Sequence, residues 1–226
     1  MRALALTYLS ADLFILGHTD EALSRGEEAI AWSRKLNHPH TLGYALSFGA
    51  LVRLLRRENE KAEAMTEEVL ALVATQNLPV WLPSANVMRG HLRVARGDTE
   101  ALAFARQGIA AKNAQGSVLN QPLFLSLLAA SCEGAGKPEE ALSLLAEAFA
   151  IAERTGERWF EAELYRLRGD WLLVTATRRR PMPKLASIAL LLSRVSRQRK
   201  YGSCARPLVS RVSGAVGGAL MRPATC

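Results

Sequence analysis

The chain has little cysteine, few aromatic residues and no long apolar run, and residues 171–226 contain no acidic residue at all. The three cysteines, Cys132, Cys204 and Cys226, lack CxxC spacing. They therefore indicate neither a disulfide framework nor a zinc site, and they fit a reducing, cytoplasmic setting. No apolar stretch approaches the roughly 20 residues that cross a bilayer, so no membrane span or membrane partner is expected. Asp12 interrupts the apolar stretch Met1–Gly17, which argues against a secretory signal.

Charge is divided unevenly. Residues 1–170 hold 18 Lys/Arg against 21 Asp/Glu, a net of −3, whereas residues 171–226 hold 11 Lys/Arg and no acid, a net of +11. The formal charge of +8 thus belongs to the tail. A nucleic-acid partner, if there is one, would be held by Arg178-Arg-Arg180 and Arg194–Lys200.

What is present is a repeat. Gly17-His-Thr-Asp-Glu-Ala22, Arg57-Glu-Asn-Glu-Lys-Ala62, Gly97-Asp-Thr-Glu-Ala101 and Gly136-Lys-Pro-Glu-Glu-Ala141 are each a short turn leading into a helix, with the alanines 40, 39 and 40 residues apart. Seven residues after each comes Ala29, Val69, Gly108 or Ala148, on the same helix face two turns on. Residues this small let two helices approach closely. Upstream of each turn lies a partner helix with its own apolar stripe, such as Leu46 and Leu51 or Leu125 and Leu128. Gly17, Gly97 and Gly136 suit a left-handed helix stop, Arg57 is a weaker one, and Asp20, Thr99 and Pro138 suit helix starts. Asn37-His-Pro39, Asn77-Leu-Pro79, Asn113-Ala-Gln-Gly116 and Thr155-Gly156 punctuate the units at one phase. The expected fold is all-α: a right-handed solenoid of antiparallel helix pairs over residues 1–174, about four and a half units.

The small and large positions match the tetratricopeptide pattern, with units about six residues longer than the usual 34. Pro79-Val-Trp-Leu82, Gly136-Lys-Pro-Glu-Glu-Ala141 and Glu157-Arg-Trp-Phe-Glu-Ala-Glu-Leu-Tyr-Arg-Leu-Arg-Gly169 resemble the helical region of large bacterial regulators. In those proteins a class III adenylate cyclase or LuxR-type DNA-binding domain is joined to an AAA/NB-ARC-like ATPase. The resemblance covers roughly residues 3–174 and implies only the sensor or scaffold part, a fragment of a larger signalling protein.

At Thr175-Ala-Thr-Arg-Arg-Arg-Pro-Met-Pro183 the pattern stops, and a fifth repeat alanine due near residue 181 is missing. The boundary between domains is therefore expected at residue 174, followed by a basic tail, 175–226, that is disordered or poorly packed. Two accounts of the tail stay open: a functional basic extension, or a lost reading frame, which in GC-rich DNA yields Arg, Ser, Pro and Gly with few acids. On either account α-helix 159–173 lacks its partner and is expected to fray, with Ile188–Val195 as a poor substitute.

Candidate chemistry is sparse. Gly134-Ala-Gly-Lys137 lacks the first glycine and the Ser/Thr of a phosphate loop. His18, His38, His40 and His91 have no carboxylate or cysteine at metal-ligand spacing, and no GxSxG or HExxH motif exists. No catalytic residue, cofactor or metal is expected. The four tryptophans, Trp32, Trp81, Trp159 and Trp171, read as packing anchors. The expected function is a non-enzymatic interaction module that takes a peptide, a domain of the parent protein or an effector in a concave groove. By repeat register that groove includes Ser47, His91, Ser126 and Arg166.

Overall fold

A computed structural model describes residues 1–179, with side chains through Thr175. The expectations for the basic tail beyond residue 179, including Arg180 of its first arginine cluster, Arg194–Lys200 and Ile188–Val195, lie outside the described residues. Within them the chain is helical: α1 (Arg2–Ile15), α2 (Thr19–Lys35), α3 (Pro39–Leu55), α4 (Asn59–Gln76), α5 (Leu82–Ala95), α6 (Leu102–Ala114), α7 (Gln121–Gly134), α8 (Pro138–Thr155) and α9 (Glu161–Arg179), and no strand occurs among those residues. Short 3₁₀ turns, Pro79–Trp81 and Thr99–Ala101, lead into α5 and α6.

The most extensive contacts join α1 to α2, α3 to α4, α5 to α6 and α7 to α8. Each first helix also touches the first helix of the next pair, and each second helix touches the helix that follows it. Small residues make the pairing possible. Ala22, Ala62, Ala101 and Ala141 are all buried, as are Ala29, Val69, Gly108 and Ala148. Across from them lies a second small series: Ser10, Ala50, Gly90 and Ala129, all buried. Ser10 Oγ donates to the Ala22 carbonyl at 2.6 Å, and a Cβ at Gly90 would stand 2.9 Å from the Ala101 carbonyl oxygen.

Every turn inside a pair carries one residue of positive φ: Gly17 (88°), Arg57 (64°), Gly97 (99°) and Gly136 (78°). Arg57 is the one without a glycine's freedom there. It is exposed and unneeded for packing, so Arg57→Gly is expected to stabilise the chain by about 1 kcal/mol through relief of that conformation. Urea denaturation followed by circular dichroism checks it; an unchanged or lower midpoint would mean that the turn is not under strain. Asp20, Thr99 and Pro138 all lie in the first turn of their helices, and at the third turn Asp98 is the cap, its Oδ1 accepting from the Ala101 N–H at 3.3 Å.

The last helix, α9, buries Leu164 and Trp171, with Phe160 buried in the turn before it, but leaves Tyr165, Leu172 and Leu173 about half exposed. It runs past the boundary expected at residue 174 to Arg179, since neither proline nor glycine occurs between Val174 and Arg179 to stop it. No helix among the described residues is long and apolar enough to cross a membrane.

Candidate functional site

The described part of the chain contains a two-lobed cleft on α1, α3 and the start of α5. Pro79 sets φ in the 3₁₀ turn before α5, and that turn lays Trp81 against α3. The indole fits because residue 43 is glycine: a Cβ there would stand 2.7 Å from Trp81 Nε1. Trp81 then meets Tyr44 edge-on at 5.3 Å between ring centroids, and Tyr44 stacks on Phe48 at 4.8 Å. These rings, with Leu51, Met88 and Phe124, wall a cavity of about 380 Å³. Its neighbour, about 200 Å³, lies between α1 and α3 and is lined by Tyr8, Ile15, Leu55 and Trp159. The two lobes share Phe48, Leu51, Leu119 and Asn120. The connection between α6 and α7 therefore lies over the first two helix pairs.

The polar side chains of the larger lobe are Ser47, Ser84, Lys112, Gln115, Ser117 and Asn120, beside the Tyr44 hydroxyl and the Trp81 indole. Lys112, on α6, is 4% exposed. Its ammonium lies 3.4 Å from both Ser117 Oγ and the Leu119 carbonyl oxygen and 4.5 Å from the Phe124 ring centroid. Burial lowers its pKa, and the charge of Glu157 opposes that shift. Glu157 is itself engaged, accepting from Trp159 Nε1 at 3.0 Å and from the Asn120 N–H at 3.2 Å, and burial raises its pKa. The Tyr44 pKa is raised by burial first and then by the neighbouring Tyr8 hydroxyl, although Tyr44 Oη lacks a hydrogen bond of regular geometry.

The four residues assigned to a groove from register lie apart. Ser47 lines the larger lobe, is 6% exposed, and its hydroxyl has no hydrogen-bond partner. Ser126 is buried within α7, its hydroxyl donating to the Leu123 carbonyl at 2.7 Å. His91 is half-buried between α5 and α7, with Nδ1 3.2 Å from the Leu127 carbonyl oxygen and 3.4 Å from Ser131 Oγ. Burial pushes its pKa down to about 4 despite that carbonyl, so the ring is neutral at physiological pH and donates through Nδ1 to Leu127. Arg166 is held on α9 by Glu163 at 2.5 Å and Asp170 at 2.7 Å. Among the described residues no group of three His, Cys, Asp or Glu side chains is placed to hold a metal ion. His38 instead caps α3, with Nδ1 accepting from the Thr41 N–H at 3.3 Å.

Register reasoning missed Lys112, although the repeat carries a signal for it. Lys112 stands eleven residues after Ala101, where the other units place Ser33, Val73 and Ala152. A lysine in a series of small or apolar residues, two of them buried, is out of pattern. The tryptophans divide. Trp171 is a core residue, Trp32 lies under Arg2 at 4.4 Å, and Trp81 and Trp159 line the cleft.

No family model matches the chain. It is similar to an uncharacterized protein of Rhizobium meliloti (strain 1021), 26% identical over 167 residues. That match takes in 72% of this chain but 16% of the relative, so the chain spans a small part of a protein several times its length.

Proposed function

We propose that the chain is a non-enzymatic interaction and regulatory module in which the helix pairs wind into a right-handed, tetratricopeptide-like solenoid of antiparallel pairs. The first helix of each pair lines the concave side, and the cleft over α1, α3 and α5 is where a peptide, a neighbouring domain or a small effector is held. In this reading the module is a cytoplasmic segment of a large bacterial signalling protein, akin to the cyclase- or LuxR-linked ATPase regulators. The size of the Rhizobium relative supports the segment reading, and the contacts of α1 with α3, α3 with α5 and α5 with α7 support the winding.

One observation carries the function: the two lobes form a single aromatic cleft bordered by exposed apolar groups, Tyr8 at 52% and Ile15 at 46%. Apolar surface of this kind at the rim of a cavity marks interaction sites. Random-peptide display against the full chain tests it. Selected peptides are expected to lose about tenfold in affinity on the double variant Tyr8→Ala, Ile15→Glu, an effect of roughly 1.4 kcal/mol. Both side chains are exposed enough for the helix to survive the change. Peptides that bind the variant as well as the parent would remove the cleft as the interaction site.

A further inference from the structure

Within the groove proposed above, on which this inference rests, we infer that the larger lobe is a site for a small planar aromatic carboxylate. Three features select that chemistry. First, the lining contains one charged group, the Lys112 ammonium, and no Asp or Glu. A cation that is 4% exposed, with hydrogen-bond contacts of 3.4 Å beyond the usual N–H···O range, has donor capacity for an anion. An ammonium donates and never accepts, so the complementary group is an acceptor, and a negatively charged one offsets the desolvation that lowers the lysine's pKa. The one carboxylate that opposes this shift, Glu157, already accepts from Trp159 and Asn120.

Second, Ser47 holds a hydroxyl in reserve. Thr7, Ser47, Asn86 and Ser126 each stand fifteen residues before a repeat alanine, and all are buried. Thr7 and Ser126 satisfy themselves on carbonyls of their own helices, at 2.9 and 2.7 Å. Ser47 alone of these lines the cavity, and its Oγ has no partner. A buried hydroxyl without a partner is costly, and a ligand oxygen in the lobe removes that cost.

Third, the walls are aromatic and the space is small. Tyr44, Phe48, Trp81 and Phe124 present ring surfaces to about 380 Å³, at the small end of ligand pockets. This suits one or two fused rings rather than a sugar, whose hydroxyls would meet mostly apolar walls.

The test uses the full chain with 2-naphthoate as the probe, and with the neutral isostere 2-naphthamide, by isothermal titration calorimetry. The expected result is one saturable site for 2-naphthoate, with the amide weaker by about tenfold or more, as loss of a charge-assisted hydrogen bond implies. Lys112→Met should weaken 2-naphthoate by about tenfold and leave the amide within about threefold. Should Lys112→Met fail to fold, Ser47→Ala serves, weakening both probes by about fivefold with an unchanged circular dichroism spectrum. Absence of saturable 2-naphthoate binding, equal affinity for acid and amide, or an affinity untouched by Lys112→Met and Ser47→Ala would overturn the inference. If in that case the displayed peptides still depend on Tyr8 and Ile15, the groove reading stands and only the aromatic acid falls. If the peptides ignore those residues while 2-naphthoate binds as expected, the lobe is a small-ligand site without a peptide groove.

Discussion

Gly108→Ala is expected to lower stability by about 2 kcal/mol, and Gly108→Val by about 3 kcal/mol or more. Both run against the ordinary rule, since exchanging a glycine inside a helix for alanine normally gains about 1 kcal/mol. The reason is where the new carbon would go. A Cβ at residue 108 would stand 2.5 Å from the Pro83 carbonyl oxygen, 2.6 Å from Val87 Cγ2 and 2.8 Å from the Val87 backbone nitrogen. Two of these are main-chain atoms of α5, which cannot swing aside as a long side chain can, so α5 and α6 must separate. Separation exposes Val87 and opens contacts around Ala105, both fully buried. Gly169, in α9, supplies the control: a Cβ there meets nothing within 4 Å, so Gly169→Ala should be neutral or stabilising by up to about 1 kcal/mol. Urea denaturation followed by circular dichroism reads both. A Gly108→Ala protein as stable as the parent would mean that the two helices are not in close contact.

Gly108 also shows how far the sequence could be read. Its place seven residues after Ala101 marked it as a small position, and the helix pairs follow from the same register because tight packing leaves a periodic trace in residue size. Gly90 leaves a fainter trace, since its equivalents are Ser10, Ala50 and Ala129 and a series of mixed small residues passes for ordinary helix composition. The cleft was less legible still. Ser47 and Ser126 share one repeat register, yet Ser47 lines the larger lobe whereas Ser126 turns its hydroxyl to its own helix. Register fixes which face a residue lies on, but not whether a neighbour has already taken its hydrogen bond. His91 and Arg166 illustrate the same limit, one against Leu127 and the other between Glu163 and Asp170. Lys112 enters the lobe because the connection between α6 and α7 lies over α1 and α3, a long-range arrangement that no local spacing encodes.

Arg53 gives the second large effect. It is 7% exposed on α3, ion-paired with Glu27 on α2 and, at 2.5 Å, with Glu58 at the start of α4. The double variant Glu27→Ala, Glu58→Ala should cost about 3 kcal/mol or more, because it strands a guanidinium that is almost wholly buried. Arg53→Met should cost about 1 kcal/mol or less, since its apolar stem keeps the packing and the two carboxylates are not stranded. Glu27 is 65% exposed, and Glu58 retains Arg56 and Lys61. If Arg53→Met proved as damaging as the double variant, the ion pairs themselves would be net stabilising and this asymmetry would be wrong. The pH dependence follows from the same cluster. Burial would raise the Glu58 pKa, but hydrogen bonds from Arg56, Arg53 and Lys61 outweigh it and hold the group down to about 2 against an ordinary 4.5. A folded-state pKa below the unfolded one contributes stability that is complete above about pH 4.5 and is lost as pH falls towards 2. The parent should therefore weaken more steeply across that window than Glu58→Gln, which carries no titrating group there, and parallel profiles for the two proteins would detach Glu58 from the acid response.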